Sequence, residues 1–161
     1  MTLDEISARA IGPALALLPA TMDTPRARIM LLVTGLQESR FLYRRQIGGP
    51  ARGFWQFEQG GGVFGAMRHQ TSRGYLEQLC ARRVVPFEAR AIWTAIEHDD
   101  VLAAGLARLL YWTDGKPLPS IGDASAAWDL YYRTWRPGKP HRQTWDAFYT
   151  EAVGFVVGGG S

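Results

Sequence analysis

Apolar residues at helical spacing fill most of the chain, and one glycine-rich stretch interrupts them. Between positions 48 and 62, six glycines and one proline surround the aromatic run Phe54-Trp55-Gln56-Phe57. Elsewhere apolar residues recur three and four positions apart, which is the period of one helix face. Dense glycine instead favours a loop or a tight turn. The pattern predicts a mainly α-helical domain with a small β-hairpin or loop segment between the second and third helices.

Capping residues mark where the first two helices begin. Thr2 and Glu5 form a capping-box pattern for a helix that reaches about Leu18. Thr24 followed by Pro25 predicts the start of the second helix, with threonine as the cap and proline at the first helical position. One buried face of this second helix is formed by Ile29, Leu32, Val33 and Leu36.

Further helices are predicted after the glycine-rich stretch. Thr71 or Ser72 caps one, Pro86 opens another, and Asp123 or Ser125 starts a third. Two more follow from helical spacing alone. The five apolar faces are Leu76, Leu79 and Cys80; Ala89, Ile92, Trp93 and Ile96; Leu102, Leu106, Leu109 and Leu110; Trp128, Tyr131, Tyr132 and Trp135; and Trp145, Phe148, Tyr149 and Ala152.

Length and composition favour one folded domain. The chain has 161 residues, 47% of them hydrophobic and 20% charged, which suits a single core over residues 1–157. The glycine-rich end, 158–161, is expected to be a flexible tail or a remnant of cloning. A single cysteine excludes an intramolecular disulfide, and the helical spacing of Cys80 predicts a buried thiol.

The charge and hydropathy of the chain limit the classes of partner that it is expected to bind. The net charge of +3 and the pI near 9.3 favour anionic material, but the basic residues are spread out, which argues against a nucleic-acid-binding domain. No apolar run reaches transmembrane length. Asp4 and Glu5 stand where a signal peptide needs basic residues, so we expect cytoplasmic synthesis without a signal peptide.

Two carboxylates flank the glycine-rich aromatic segment. Glu38 ends the apolar second helix and Glu58 follows Phe57. Cleavage of a glycosidic bond needs a carboxylic acid that protonates the leaving oxygen, and burial can hold that acid protonated near neutral pH. The alternative for Glu38 is a solvated residue near a helix end, and for Glu58 a solvated residue at the edge of a loop.

Two short motifs in this region resemble those of lytic transglycosylases and goose-type lysozymes. Glu38-Ser39-Arg40-Phe41 resembles their Glu-Ser signature, and Gly53-Phe54-Trp55-Gln56 resembles their Gly-Leu-Met-Gln segment, with Phe54-Trp55 in place of Leu-Met. A third motif, Ala-Tyr-Asn-x-Gly, is matched only by Tyr111 and roughly by Gly115. The resemblance covers residues 25 to 115 and implies an α+β lysozyme-like fold with a cleft.

The resemblance also implies roles for single residues. Glu38 would be the general acid. Glu58 stands where goose-type lysozymes carry an aspartate and would position water, unless the substrate's own 6-hydroxyl attacks, as in transglycosylases. The substrate-binding residues would be Ser39, Trp55, Gln56, Phe57 and Tyr111. For Trp55, packing in the core is an equal alternative to stacking on a sugar, and burial also suits Tyr111.

The expected activity is that of a peptidoglycan muramidase, which cuts the β-1,4 bond between N-acetylmuramic acid and N-acetylglucosamine. It would act on the bacterial cell wall, with phage virion or lysis proteins as partners, and would need no cofactor. His98-Asp99-Asp100 lacks the spacing of a metal site and is better explained as a helix end or cap. The alternative function is a non-catalytic phage structural or glycan-binding protein of the same fold.

Overall fold

The structure is a computed structural model that describes residues 1–159. Its α-helices are α1 (Leu3–Ile6), α2 (Gly12–Ala16), α3 (Pro25–Ser39), α4 (Phe64–Arg68), α5 (Arg73–Arg82), α6 (Ala89–Ala95), α7 (Asp100–Trp112), α8 (Ala124–Trp135) and α9 (Arg142–Val157). Ser7–Ile11 and Gln59–Val63 are π-helical, and Ala20–Met22 forms a 3₁₀ turn. The mainly α-helical prediction is confirmed. Of the predicted tail, Gly158 and Gly159 follow α9, and residues 160 and 161 lie outside the described residues.

Most of the predicted helix starts are confirmed by the hydrogen bonds of their caps. Thr2 Oγ1 accepts from the Glu5 amide at 3.1 Å while Glu5 Oε2 accepts from the Thr2 amide at 3.0 Å, which completes the capping box. Thr24 Oγ1 accepts from the Ala27 amide at 3.1 Å at the start of α3. Asp123 caps α8 in the same way. The first helical stretch ends at Ala16, slightly before the predicted Leu18.

Two predicted helix starts differ from the structure. α6 begins at Ala89, three residues after Pro86, because Phe87 and Glu88 lie in a bend before the first helical residue. Ser72 does precede α5, but its side chain caps nothing. The hydroxyl instead donates to the Ala66 carbonyl at 2.7 Å and ties α5 to α4.

The core lies around α3 and α7. Ten of the fifteen residues of α3 are buried, and the helix packs against α7, α8 and α9. α7 approaches α5 closely at Gly105, where a Cβ atom would lie 2.4 Å from Leu79 Cδ2. Cys80 is buried beside this contact, as its spacing predicted. This packing fixes the C-terminal end of α3, where Glu38 lies.

The segment from residue 40 to 58 connects α3 to the π-helical stretch Gln59–Val63. In place of a regular hairpin it has two isolated antiparallel bridges, Arg45–Arg52 and Arg52–Phe57. The chain reverses tightly at Gly53, which has a φ of +73° and donates its amide to the Arg44 carbonyl at 2.7 Å. Of the two predicted forms, the loop is therefore closer to the structure.

Candidate functional site

Glu38 lies in the last turn of α3 and is half-buried. The helix ends one residue later, at Ser39, because Arg40 and Phe41 both adopt left-handed backbone conformations, with φ of 53° and 54°. Two consecutive non-glycine residues with positive φ are uncommon, and such backbone strain clusters at functional sites. The turn directs the chain sharply away from Glu38.

Tyr131 of α8 holds the carboxyl group of Glu38. Its hydroxyl donates to Glu38 Oε1 at 2.6 Å across 93 positions of the sequence. Burial raises the pKa of Glu38 from 4.5 to about 7, and the hydrogen bond from Tyr131 opposes this by lowering it. Desolvation wins because a carboxylate loses far more hydration than one hydrogen bond replaces. The group is therefore about half protonated at neutral pH.

A second tyrosine, Tyr111 of α7, contacts α3 one helical turn before Glu38. Thr34 Oγ1 donates to the Met30 carbonyl at 2.6 Å, so the contact between Thr34 Oγ1 and the Tyr111 hydroxyl uses the tyrosine proton. Burial first, and then the nearby charge of Glu38, raise the pKa of Tyr111 well above its usual value. Both tyrosines are therefore neutral hydrogen-bond donors beside α3.

Aromatic rings surround these hydroxyls. Trp135 is half-buried, and its ring centroid lies 4.7 Å from that of Tyr111, 5.5 Å from Phe57 and 6.3 Å from Tyr131. Such rings exclude water and supply few polar groups. Through Tyr131 this aromatic cluster reaches the carboxyl group of Glu38.

Ser39 is buried and positions the loop after α3. Its hydroxyl donates to the Phe54 carbonyl at 2.7 Å and accepts from the Phe41 amide at 3.1 Å. The side chain therefore joins the end of α3 to the glycine-rich segment. Since Ser39 is 2% exposed, its role is to position the backbone and it leaves no group for a substrate.

The aromatic residues of the segment face the core. Trp55 is fully buried, donates Nε1–H to the Leu31 carbonyl at 2.9 Å, and accepts at its own carbonyl from Trp135 Nε1 at 2.9 Å. Phe57 is 2% exposed. Neither ring offers a face to a sugar, so the structure supports the core alternative for Trp55 and corrects the substrate-binding role expected for Phe57.

Gln56 and Glu58 are the predicted residues that do reach solvent. Gln56 is half-buried with a φ of 52°, and its Nε2 donates back to the Gly53 carbonyl at 2.8 Å. Glu58 is exposed and precedes Gln59–Val63. Within residues 1–159 its side chain caps none of the helical amides that follow it. The structure therefore gives Glu38 a tuned environment and leaves Glu58 solvated.

Among residues 1–159, two adjoining grooves are lined by residues other than Glu38. One of about 530 Å³ includes Thr24, Arg108 and Tyr111, and the other, of about 470 Å³, includes Gln78. Both are lined by Trp112. Tyr111 links the first groove to the site, because it lines that groove and contacts α3 one turn before Glu38.

Sequence reasoning missed Tyr131 and Trp135 as parts of the site. Their helical spacing predicted a core face of α8, and nothing local indicated that this face meets the end of α3. Among the described residues, no cluster of histidine, cysteine or acidic side chains could hold a metal ion, and no helix is long and apolar enough to cross a membrane. Asp99 caps α7, as expected for a helix end.

We compared the chain with protein-family models, curated proteins and solved structures, and found no match.

Proposed function

We propose that the protein is a peptidoglycan-cleaving muramidase of lysozyme-like α+β fold, with Glu38 as its general acid. The observation that carries the proposal is the half-buried Glu38 carboxyl, bonded to Tyr131 and with a pKa raised to about 7. A carboxylic acid with this pKa is protonated often enough near neutrality to donate a proton, and is acidic enough to release it.

The hydrogen bond from Tyr131 assigns different tasks to the two oxygens of Glu38. Oε1 accepts from the tyrosine, so Oε2 is the oxygen that carries the acid proton. Transfer of that proton to the glycosidic oxygen would release the leaving sugar and generate an oxocarbenium-like centre. The second half of the reaction would use water positioned by Glu58 or the substrate's own 6-hydroxyl.

The remaining features fit an enzyme that works on the bacterial wall. The net positive charge favours an anionic polymer. Phage lysis or virion proteins would bring the enzyme to its substrate. The oxygen chemistry proposed for Glu38 uses no cofactor.

Clearing of peptidoglycan suspensions tests the proposal. Glu38→Gln should lower the rate by about 10² to 10⁴-fold, because the amide cannot donate the acid proton. Glu151→Gln, an exposed glutamate on α9, is the matched control and should keep the full rate. Mass spectrometry of the products separates the mechanisms, since anhydro ends indicate a transglycosylase and reducing ends a hydrolase.

A non-catalytic glycan-binding protein is the second candidate. The observation that favours it is the position of the grooves, neither of which is lined by Glu38. If the wild-type protein clears no wall preparation from several bacteria but sediments with insoluble peptidoglycan, this second function replaces the first.

A further inference from the structure

Arg108 is a buried cation that the proposed reaction does not use. It lies on α7, and only 3% of its surface is exposed. Its Nε donates to the Met22 carbonyl at 2.8 Å. Its guanidinium carbon lies 5.2 Å from the centroid of the Trp112 ring. One hydrogen bond and one aromatic contact satisfy only part of a group with five N–H donors.

The two terminal nitrogens of Arg108 have no partner in residues 1–159. Asp23 is the carboxylate whose charge acts on the guanidinium, and Arg28 occupies both oxygens of Asp23, at 2.7 and 2.9 Å. In this part of the chain every fully buried side-chain nitrogen or oxygen has a hydrogen-bond partner. The terminal nitrogens must therefore keep some accessible surface, and Arg108 lines the 530 Å³ groove.

A buried charge without a counter-ion destabilises the folded protein. Desolvation lowers the pKa of Arg108 to about 10, and the charge of Asp23 only partly offsets this. The guanidinium still remains protonated at neutral pH. A ligand that brings an oxyanion to the terminal nitrogens would supply the missing charge and two parallel hydrogen bonds.

The rest of the groove is suited to a polar ligand with a ring. Arg26 and Lys116 add positive charge at the exposed rim. The carboxylate in the lining, Asp114, is already bound by Arg133 at 3.0 Å through both oxygens. The half-buried ring of Trp112 supplies an aromatic surface. Hydroxyl groups come from Thr21, Thr24 and Thr71.

We infer that this groove binds an acidic saccharide, with the carboxylate of the sugar on the terminal nitrogens of Arg108 and the sugar ring beside Trp112. The choice of muramic acid as that saccharide rests on the proposed function, because muramic acid is the sugar of peptidoglycan whose lactyl ether ends in a carboxylate wherever the stem peptide has been removed. Arg108 selects for a sugar that carries a negative charge. The threonine hydroxyls and the indole of Trp112 contact acidic and neutral sugars alike.

Titration of the ¹⁵N-labelled protein with monosaccharides tests this inference without requiring catalysis. N-Acetylmuramic acid should shift the indole N–H signal of Trp112, identified with Trp112→Phe, and leave that of Trp128 on α8 in place. N-Acetylglucosamine, which lacks the carboxylate, should produce shifts only at much higher concentration. Arg108→Met should raise the Kd for N-acetylmuramic acid by about tenfold or more, because a charge-assisted bidentate contact is lost.

If Arg108→Met does not fold, a second variant and a comparison of ligand affinities still test the inference. Lys116→Gln changes an exposed rim residue and should weaken binding of the acidic sugar by about two- to fivefold, with the neutral sugar unaffected. Equal affinity for the two sugars, or tighter binding of inorganic phosphate than of N-acetylmuramic acid, would overturn the assignment. Selective binding of N-acetylmuramic acid without wall clearing would support the ligand proposed for the groove and refute the muramidase function. Wall clearing without selective binding would support the muramidase function and refute the ligand proposed for the groove.

Discussion

The two carboxylates that flank the glycine-rich segment have opposite surroundings. Glu38 is half-buried, accepts a hydrogen bond from Tyr131 and has its pKa raised to about 7. Glu58 is exposed, and three glycines follow its neighbour Gln59. Both are glutamates beside aromatic residues, so residue type does not separate them. Burial does, because it withdraws the Glu38 carboxyl group from water and raises its pKa, whereas Glu58 faces solvent.

How closely the backbone is packed also differs along the glycine-rich segment. Ser39 joins the end of α3 to Phe54, and the neighbouring Gly53 lies against the Ile96 carbonyl. At the Glu58 end, Gly60 has no atom within 4 Å of where a Cβ would be. The comparison indicates that the segment is rigid where it is bonded to the end of α3 and open at Gly60, and four predictions test it.

Gly53→Ala should have the largest effect on stability. The new Cβ would lie 2.7 Å from the Ile96 carbonyl oxygen, and the φ of +73° is unfavourable for alanine. We expect a loss of about 2 to 4 kcal/mol in the free energy of unfolding, measured by urea denaturation. Gly60→Ala is the matched control and should be neutral or slightly stabilising. Equal losses at the two positions would contradict the difference in rigidity.

The stability of the protein should depend on pH through Glu38. Because its folded pKa of about 7 lies above the usual 4.5, its contribution is fully present below about pH 4.5 and is lost as the pH rises through 7. Glu38→Gln removes this dependence. Relative to wild type, the variant should gain up to about 3 kcal/mol at pH 8 and almost nothing at pH 4. The same gain at both pH values would show that Glu38 has an ordinary pKa.

Tyr131→Phe should raise the pKa of Glu38 further, because the lost hydrogen bond lowers it in the wild type. Titration of the Glu38 carboxyl carbon by NMR measures the shift directly. We expect a stability loss of about 1 kcal/mol at neutral pH from the missing hydrogen bond. Tyr132→Phe, at the exposed neighbouring position, should change neither quantity. An unchanged or lowered pKa in Tyr131→Phe would refute the role of this hydrogen bond.

Glu58→Gln should have the smallest effect on the fold. The side chain is exposed, so the free energy of unfolding should stay within about 0.5 kcal/mol of wild type at pH 4 and at pH 8. Its effect on the reaction is a separate measurement. If Glu58→Ala keeps the full rate and yields reducing ends, Glu58 is not the base.

Local sequence patterns predicted well where several helices begin and which of their faces are buried. The capping box at Thr2, the Thr24-Pro25 start and the Asp123 cap each depend on hydrogen bonds within one helical turn. Such bonds are visible in a sequence because both partners are neighbours. The apolar faces of α3 and α7 followed from their period for the same reason.

Contacts between distant residues could not be predicted in this way. The partner of Glu38 is 93 positions away, and the carbonyl that Arg108 binds is 86 positions away. The sequence left two interpretations of Trp55, packing in the core and stacking on a sugar. The positive φ of Gly53 and Gln56 folds the segment into a compact turn whose interior buries the Trp55 ring. A regular hairpin would have kept one face toward solvent.

The dependence of Glu38 on α8 sets an order of events during synthesis. Glu38 leaves the ribosome well before Tyr131 and Trp135, which supply its hydrogen bond and part of its aromatic surroundings. Until those residues emerge and dock, the carboxyl group stays hydrated and ionised, as in any unfolded chain. The environment of Glu38 therefore depends on the last third of the protein, and an incomplete polypeptide carries the glutamate without the hydrogen bond from Tyr131.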